Sequence, residues 1–90
     1  MQELSILKYY LSSIDRQKIK MPQGAEILSI QLQRGTITLW AVVDPTAALI
    51  EREFVLLGEC APIKDRNDLR YIGTVQNDNG SLVWHVFLNK

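Results

Sequence analysis

The side chains that could do chemistry in this chain are aromatic rings, amides and arginines rather than a catalytic set. Trp40 lies on one face of a predicted strand, and Gln31 and Gln33 alternate along the preceding strand. If the two strands pair in the register that brings these residues together, their shared face combines a ring with amide groups. Such a face suits stacking against a nucleobase or contact with a protein partner. The favoured alternative is that Trp40 is a half-exposed tryptophan that covers the edge of the core.

His85 is the only histidine and lies beside Trp84 in the last predicted strand. Four roles are open to it: a hydrogen-bonded structural residue, part of a ligand pocket with Trp40 or Tyr71, a subunit contact, or a general base. The structural role is favoured, because buried polar groups are normally satisfied. The general base is the weakest of the four, since the sequence marks no nucleophile or orienting carboxylate nearby.

Arginines supply the remaining candidate contacts, because a guanidinium fork matches the geometry of a phosphate group. Arg52, Arg66 and Arg70 are candidates, but nothing in the sequence places them together. Solvated surface charge is the usual state of such residues. The predicted ligand-binding set is therefore Trp40, Gln31, Gln33, His85, Tyr71 and Arg70.

Cys60 is the only cysteine, and its chemistry is limited by its neighbours. One cysteine cannot form an internal disulfide, and one cysteine with one histidine cannot supply the four ligands of a structural zinc site. The preceding Glu59 disfavours a thiolate, so we expect Cys60 to be a small packed side chain rather than a nucleophile. No phosphate-binding glycine loop is present. We expect no catalytic residue, metal or cofactor, and no enzymatic activity.

Composition and charge narrow the classes of partner. The ten basic and ten acidic residues cancel, whereas nucleic-acid-binding proteins usually carry a basic excess, so a nucleic-acid partner is disfavoured. Apolar residues make up 47% of the chain and charged residues 22%, as in an ordinary globular domain, and we expect residues 1–90 to form one. The apolar runs are far shorter than a bilayer requires, and no secretory signal is evident. These features predict a cytoplasmic protein without a membrane partner.

Alternation with a period of two predicts β-structure along most of the chain. Arg34-Gly35 and Asn77 to Gly80 predict hairpin turns, and Gly73 suggests a bulge or a close backbone approach. Asp44-Pro45 fits the start of one or two helical turns over Pro45 to Glu51, with a loop as the alternative. The predicted strands are Ile6–Leu11, Lys18–Met21, Glu26–Gln33, Thr36–Val43, Glu53–Gly58, Arg70–Gln76 and Leu82–Leu88.

About seven short, mostly antiparallel strands with at most one short helix predict an all-β sandwich or barrel-like domain. Whether residues 59–69 are ordered is left open by their irregular composition. A domain of this size buries only about two thirds of its unfolded surface, and its sheet edges invite pairing. We therefore expect a homo-oligomer.

Three segments carry a resemblance to a known family: MPQGAEILSIQ (residues 21–31), LWAVVDP (residues 39–45) and WHVF (residues 84–87). With KYYL and YIGTVQ, they resemble an uncharacterised family of short proteins encoded by phages and prophage-bearing bacteria. The resemblance covers nearly the whole chain and implies a phage or prophage setting, with no settled activity. Members usually carry a Gly-Thr-Gly-His-Pro-Ile-like stretch, where this chain has GECAPI and Ala61 replaces the histidine.

In that setting we expect a non-enzymatic binding protein of the host cytoplasm that sequesters a host factor, such as a nucleotide signal of antiphage defence. The alternative is a protein-interaction module that inhibits a host enzyme or joins a phage complex. A hydrolase that uses His85 is the third hypothesis. A nucleotide trap needs a concave pocket with arginine or lysine at its rim, whereas an interaction module needs a flat or convex apolar patch.

Overall fold

The alternating segments form seven strands in the computed structural model, which describes residues 3–90. Each strand alternates between core side chains on one face and outward-facing ones on the other, as the period of two dictates, and some of the outward-facing side chains, such as Val55 and Phe87, are apolar. The predicted all-β class is confirmed. The strands are β1 (Ser5–Leu11), β2 (Arg16–Pro22), β3 (Glu26–Gln33), β4 (Thr36–Val43), β5 (Leu49–Leu57), β6 (Leu69–Gln76) and β7 (Val83–Asn89).

The strands pair into two antiparallel sheets. Sheet A has three strands in the order β1-β4-β3, and sheet B has four in the order β2-β5-β7-β6. No strand of the described chain joins one sheet to the other, so the sandwich alternative is confirmed and a closed barrel is not formed. Each sheet packs its inner face against the core, and its other face points outward.

The core lies between the inner faces of the two sheets. Strand β4 supplies every second residue to it, and β5 and β7 supply the facing side chains, including fully buried Phe54. Burial of this apolar surface is the main force that holds the two sheets together. The best-buried members are Met21, Leu39, Ala41, Val43, Phe54, Val86 and Leu88.

Strands β3 and β6 approach each other closely at one side of the sandwich. A Cβ atom added to Gly73 would lie 2.7 Å from Cγ2 of Ile30, so a side chain at this position would clash. The pairing of β6 shifts register between Tyr71 and Gly73, which confirms the predicted irregularity there. Strand β3 shifts register between Ile27 and Ser29. One bulge in each sheet therefore lies near this approach.

The segment after β4 differs from the predicted helical turns and follows the loop alternative. Asp44 accepts hydrogen bonds from the backbone N–H and the hydroxyl of Thr46, which lower the pKa of its carboxyl group and close a turn. Strand β5 then begins at Leu49, because its pairing with β2 extends to Pro22. The cross-strand hydrogen bonds of this longer strand outweigh the weak helical signal. The helical turn of the described chain lies elsewhere, at Arg66–Asp68.

Candidate ligand-binding site

The register of sheet A collects polar and aromatic side chains on its outer face. Trp40 lies opposite Ser29, Thr38 opposite Gln31, and Thr36 opposite Gln33. Of the two registers that the sequence left open, this is the one in which Trp40, Gln31 and Gln33 share one face. The other face of β4 enters the core, which fixes the register because a slip of one residue would expose it.

Strand β1 adds two side chains to this face that the sequence analysis missed. Lys8 lies opposite Trp40, and Tyr10 lies opposite Thr38. Their alternation with Leu7 and Tyr9 was a signal that they leave the core side of the strand. Nothing in the sequence showed that β1 pairs with β4, so their proximity to the amides of β3 could not be predicted.

These residues border a concave pocket of about 410 Å³ that is lined by Lys8, Tyr10, Gln33, Arg34 and Thr36. Lys8 reaches across β4, and its Nζ donates a hydrogen bond to Oε1 of Gln33 at 3.2 Å. The same Nζ lies 5.8 Å from the centre of the Tyr10 ring, within the range of a cation–π contact. Trp40 and Gln31 lie on the same sheet face but outside the lining.

The turn between β3 and β4 places Arg34 at the rim of this pocket. Gln33 pairs with Thr36, so Arg34 and Gly35 form a two-residue hairpin turn, as predicted. Both residues have positive φ, 50° and 80°, as a type I′ turn requires. Within the described chain Arg34 has no hydrogen bond or ion pair, and no carboxylate lines the pocket. Two cations therefore face it without a compensating acid.

The other predicted site residues lie elsewhere, so the set of six does not form one site. His85 and Tyr71 are on the outer face of sheet B, on the opposite side of the sandwich from Trp40. Arg70 is opposite Leu88, on the inner side of sheet B at the rim of the core. The structure thus separates the candidates into three places.

His85 is held in a chain of four polar side chains. Its Nδ1 lies 3.0 Å from the hydroxyl oxygen of Thr74, which also contacts the hydroxyl of Tyr71. Its Nε2 lies 3.1 Å from Oε1 of Glu59, a residue 26 positions earlier in the chain. A neutral ring with its proton on Nε2 donates to Glu59 and accepts from Thr74, which satisfies both nitrogens. This arrangement supports the structural role for His85.

Residues 58–68 form a segment that crosses β7 on the way from β5 to β6, and we call it the strap. It covers a small outer cluster of Val55, Leu69 and Phe87, with the Arg66 guanidinium 5.8 Å from the Phe87 ring. Glu59 ties the start of the strap to His85. Cys60 is exposed with φ of 63°, so the expectation that it packs inside is wrong. These contacts hold the strap in a defined path, whereas the sequence left open whether residues 59–69 are ordered.

On the outer face of sheet B, one carboxylate links the neighbouring strands β2, β5 and β7. Oε1 of Glu53 accepts hydrogen bonds from Asn89 at 2.8 Å and from Arg16 at 2.9 Å. The hydrogen bond from Asn89 and the positive charge of Arg16 lower the pKa of Glu53 below its ordinary value. This link stabilises the face of sheet B rather than creating a ligand site.

Two kinds of feature are not found in the part of the chain that the structure describes. No group of three or more histidine, cysteine, aspartate or glutamate side chains is arranged to hold a metal ion. Among residues 3–90 there is also no helix with the length and hydropathy needed to cross a bilayer.

The fold and the pocket define a small antiparallel β-sandwich with a cationic and aromatic concavity on its three-stranded sheet. The chain belongs to the family described as a domain of unknown function (DUF7352), which matches residues 2–90. Comparison with curated proteins and with solved structures finds no match.

Proposed function

We propose that this protein is a non-enzymatic binding protein whose ligand is a nucleotide, held in the pocket between β1 and the β3–β4 hairpin. The observation that carries the proposal is the lining itself: Lys8, Arg34 and Tyr10 meet at one concavity that contains no carboxylate. Its volume of about 410 Å³ lies within the usual range for small-ligand pockets.

Each lining group has a counterpart in a nucleotide. The guanidinium of Arg34 can hold a phosphate with two parallel hydrogen bonds, and Lys8 adds a second positive charge. The Tyr10 side chain is 60% exposed, so its ring offers a surface on which a base can stack. The amide of Gln33 can donate to and accept from the edge of that base. None of the lining side chains is a histidine, cysteine or carboxylate, which supports binding without turnover.

The phage setting implied by the sequence resemblance suggests what such binding achieves. A phage protein that sequesters a nucleotide signal in the host cytoplasm would act stoichiometrically and would need affinity rather than catalysis. We therefore propose sequestration of a nucleotide signal as the biological role, with host defence as its target.

We also propose that two copies pair through the outer edge of β1. This strand has a partner only on its β4 side within the described chain, and it carries exposed Ile6 and Leu7 beside Tyr10, with exposed Leu4 just before it. An unpaired edge with apolar side chains is a template for antiparallel addition of an identical strand. Because Lys8 and Tyr10 belong to β1, such pairing would bring two nucleotide pockets side by side on one continuous sheet.

The same exposed side chains favour a second candidate function. A host protein rather than a second copy would cover β1 if the chain is an interaction module that inhibits a host enzyme or joins a phage complex. In that case the pocket would remain without a nucleotide ligand.

A thermal-shift panel of linear and cyclic nucleotides tests the proposed function. A ligand present at about 100 times its dissociation constant adds about 2.7 kcal/mol of stability, which raises the Tm of a domain this size by about 10 °C or more. We expect this shift to be lost in Lys8→Gln and kept in Lys20→Gln, because Lys20 is an exposed lysine on the edge strand of the other sheet. A flat panel would contradict the nucleotide proposal and favour the interaction module.

A further inference from the structure

A second concavity lies on the side of the sandwich where β3 meets β6. It has a volume of about 200 Å³, too small for a whole nucleotide by the usual size of ligand pockets. Its walls include both register shifts of the described strands, with Leu28 from β3 and Ile72 from β6. Bulges re-aim side chains and are frequent beside functional sites, so two of them at one groove direct attention to its polar lining.

Two arginines from different strands line this groove. Arg52 on β5 lies two residues before the core residue Phe54. Arg70 on β6 lies opposite the core residue Leu88 of β7. Both positions therefore belong to the inner side of sheet B, at the end where the core opens to solvent. Neither guanidinium has a hydrogen bond or ion pair with another residue among positions 3–90.

The chemistry of this lining selects an oxyanion. Two guanidinium groups present up to ten N–H donors and two positive charges, more than a single carboxylate can accept. A phosphate group has the oxygens and the charge to engage both. Glu26 also lines the groove, and its carboxylate can accept a hydrogen bond from a protonated phosphate oxygen. Sulfate has no such proton at neutral pH.

We propose that the groove between Arg52 and Arg70 is a phosphate-binding site, separate from the nucleotide pocket. Arg52 and Arg70 hold the phosphate oxygens, and Glu26 favours phosphate over sulfate. The site takes inorganic phosphate or the phosphate of a small monoester, because a volume of about 200 Å³ holds a phosphate with a small organic group but not a whole nucleotide.

Thermal shifts with inorganic phosphate, sulfate and glycerol 3-phosphate, at ionic strength held constant with chloride, test the proposal. Phosphate is expected to raise the Tm of the wild type more than sulfate does. The apparent dissociation constant for phosphate is expected to rise about tenfold or more in Arg70→Gln and in Arg52→Gln. Lys20→Gln is the matched control, since it removes an exposed cation that lines neither pocket, and it should respond as the wild type does. Circular dichroism establishes that each variant is folded.

The outcomes separate this site from the nucleotide pocket. Phosphate binding that disappears in Arg52→Gln and Arg70→Gln but persists in Lys20→Gln supports the groove, whatever the nucleotide panel shows. A stronger response to glycerol 3-phosphate than to inorganic phosphate identifies a monoester as the ligand, and the reverse identifies the free anion. No response in the wild type, an equal response to sulfate, or a full response in both groove variants would overturn the proposal.

Discussion

At the scale of single residues, Arg34 combines an unusual backbone conformation with a place in the proposed nucleotide pocket. Its left-handed φ of 50° is needed for the hairpin turn, and the same turn holds its guanidinium over the pocket. A residue with a branched or bulky side chain usually avoids this conformation, whereas asparagine adopts it readily. An arginine here therefore costs some turn stability, and we attribute its presence to binding.

Arg34→Asn separates these two contributions. We expect the free energy of unfolding to stay equal or rise slightly, because Asn-Gly is the preferred sequence of a type I′ turn. Nucleotide affinity should fall about tenfold or more, because a charged hydrogen-bond donor is lost. Urea unfolding and calorimetric titration measure the two quantities. A destabilised variant that still binds at wild-type affinity would show that Arg34 serves the turn alone.

At the residue scale the sequence left two registers open for the pairing of β3 with β4. The structure has the one that places Trp40, Gln31 and Gln33 on one face, because the apolar residues of both strands then enter the core around a two-residue turn. The contact of His85 with Glu59 was not predictable, since Glu59 reaches the ring through the strap rather than through a neighbouring strand. Contacts made by irregular segments leave no periodic signal in the sequence.

At the scale of elements, strand pairing decided what local propensity did not. Residues 49–51 carried a weak helical signal but joined β5, because β2 offers a partner as far as Pro22. Strand β2 likewise extends beyond the predicted Lys18–Met21 at both ends. The hairpins were predicted well because their turns are coded locally by Arg34-Gly35 and by Asn77 to Gly80. The order of strands within each sheet has no such local code.

The link made by Glu53 across β2, β5 and β7 predicts a dependence of stability on pH. The pKa of Glu53 is lower in the folded chain than its ordinary value of 4.5, so its contribution to stability is full above that value. As the pH falls from there through the lowered pKa, the contribution is lost. Glu53→Gln should therefore destabilise the protein at neutral pH and have progressively less effect in acid.

Urea midpoints of the wild type and Glu53→Gln, measured from neutral pH into the acid range, check this expectation. Glu51→Gln is the matched control, because Glu51 is an exposed carboxylate on the same strand that makes no hydrogen bond with another described residue. The stability of Glu53→Gln still falls in acid to some extent, since the pKa of Asp44 is also lowered in the folded chain. A constant difference between wild type and Glu53→Gln at every pH would contradict the account.

At the scale of the whole molecule, the thin sandwich leaves much of each sheet exposed. The Cα radius of gyration is 13.6 Å, above the roughly 12 Å expected for a compact chain of 90 residues, and the shortest dimension is 16 Å. Ile6 is 62% exposed on the edge strand β1. A second copy that pairs with this edge would cover apolar surface that a monomer leaves in water.

The proposed pairing predicts a dimer whose stability depends on β1. Ile6→Lys places a charge on the outer face of the edge strand and should shift the population to monomer without unfolding the chain. Ile14→Lys, at a similarly exposed position between β1 and β2, should leave the dimer intact. Sedimentation velocity over a wide range of concentrations measures both. A wild type that stays monomeric at every concentration would contradict the proposed pairing of two copies through β1.

The central claim is that a nucleotide binds between β1 and the β3–β4 hairpin, and amide correlation spectra during a nucleotide titration test it most directly. The account predicts that the largest shifts fall on Lys8, Tyr10, Gln33, Arg34 and Thr36, and that His85 and the strap on the opposite face are little changed. Shifts confined to the strap, or none with any nucleotide of the panel, would contradict it.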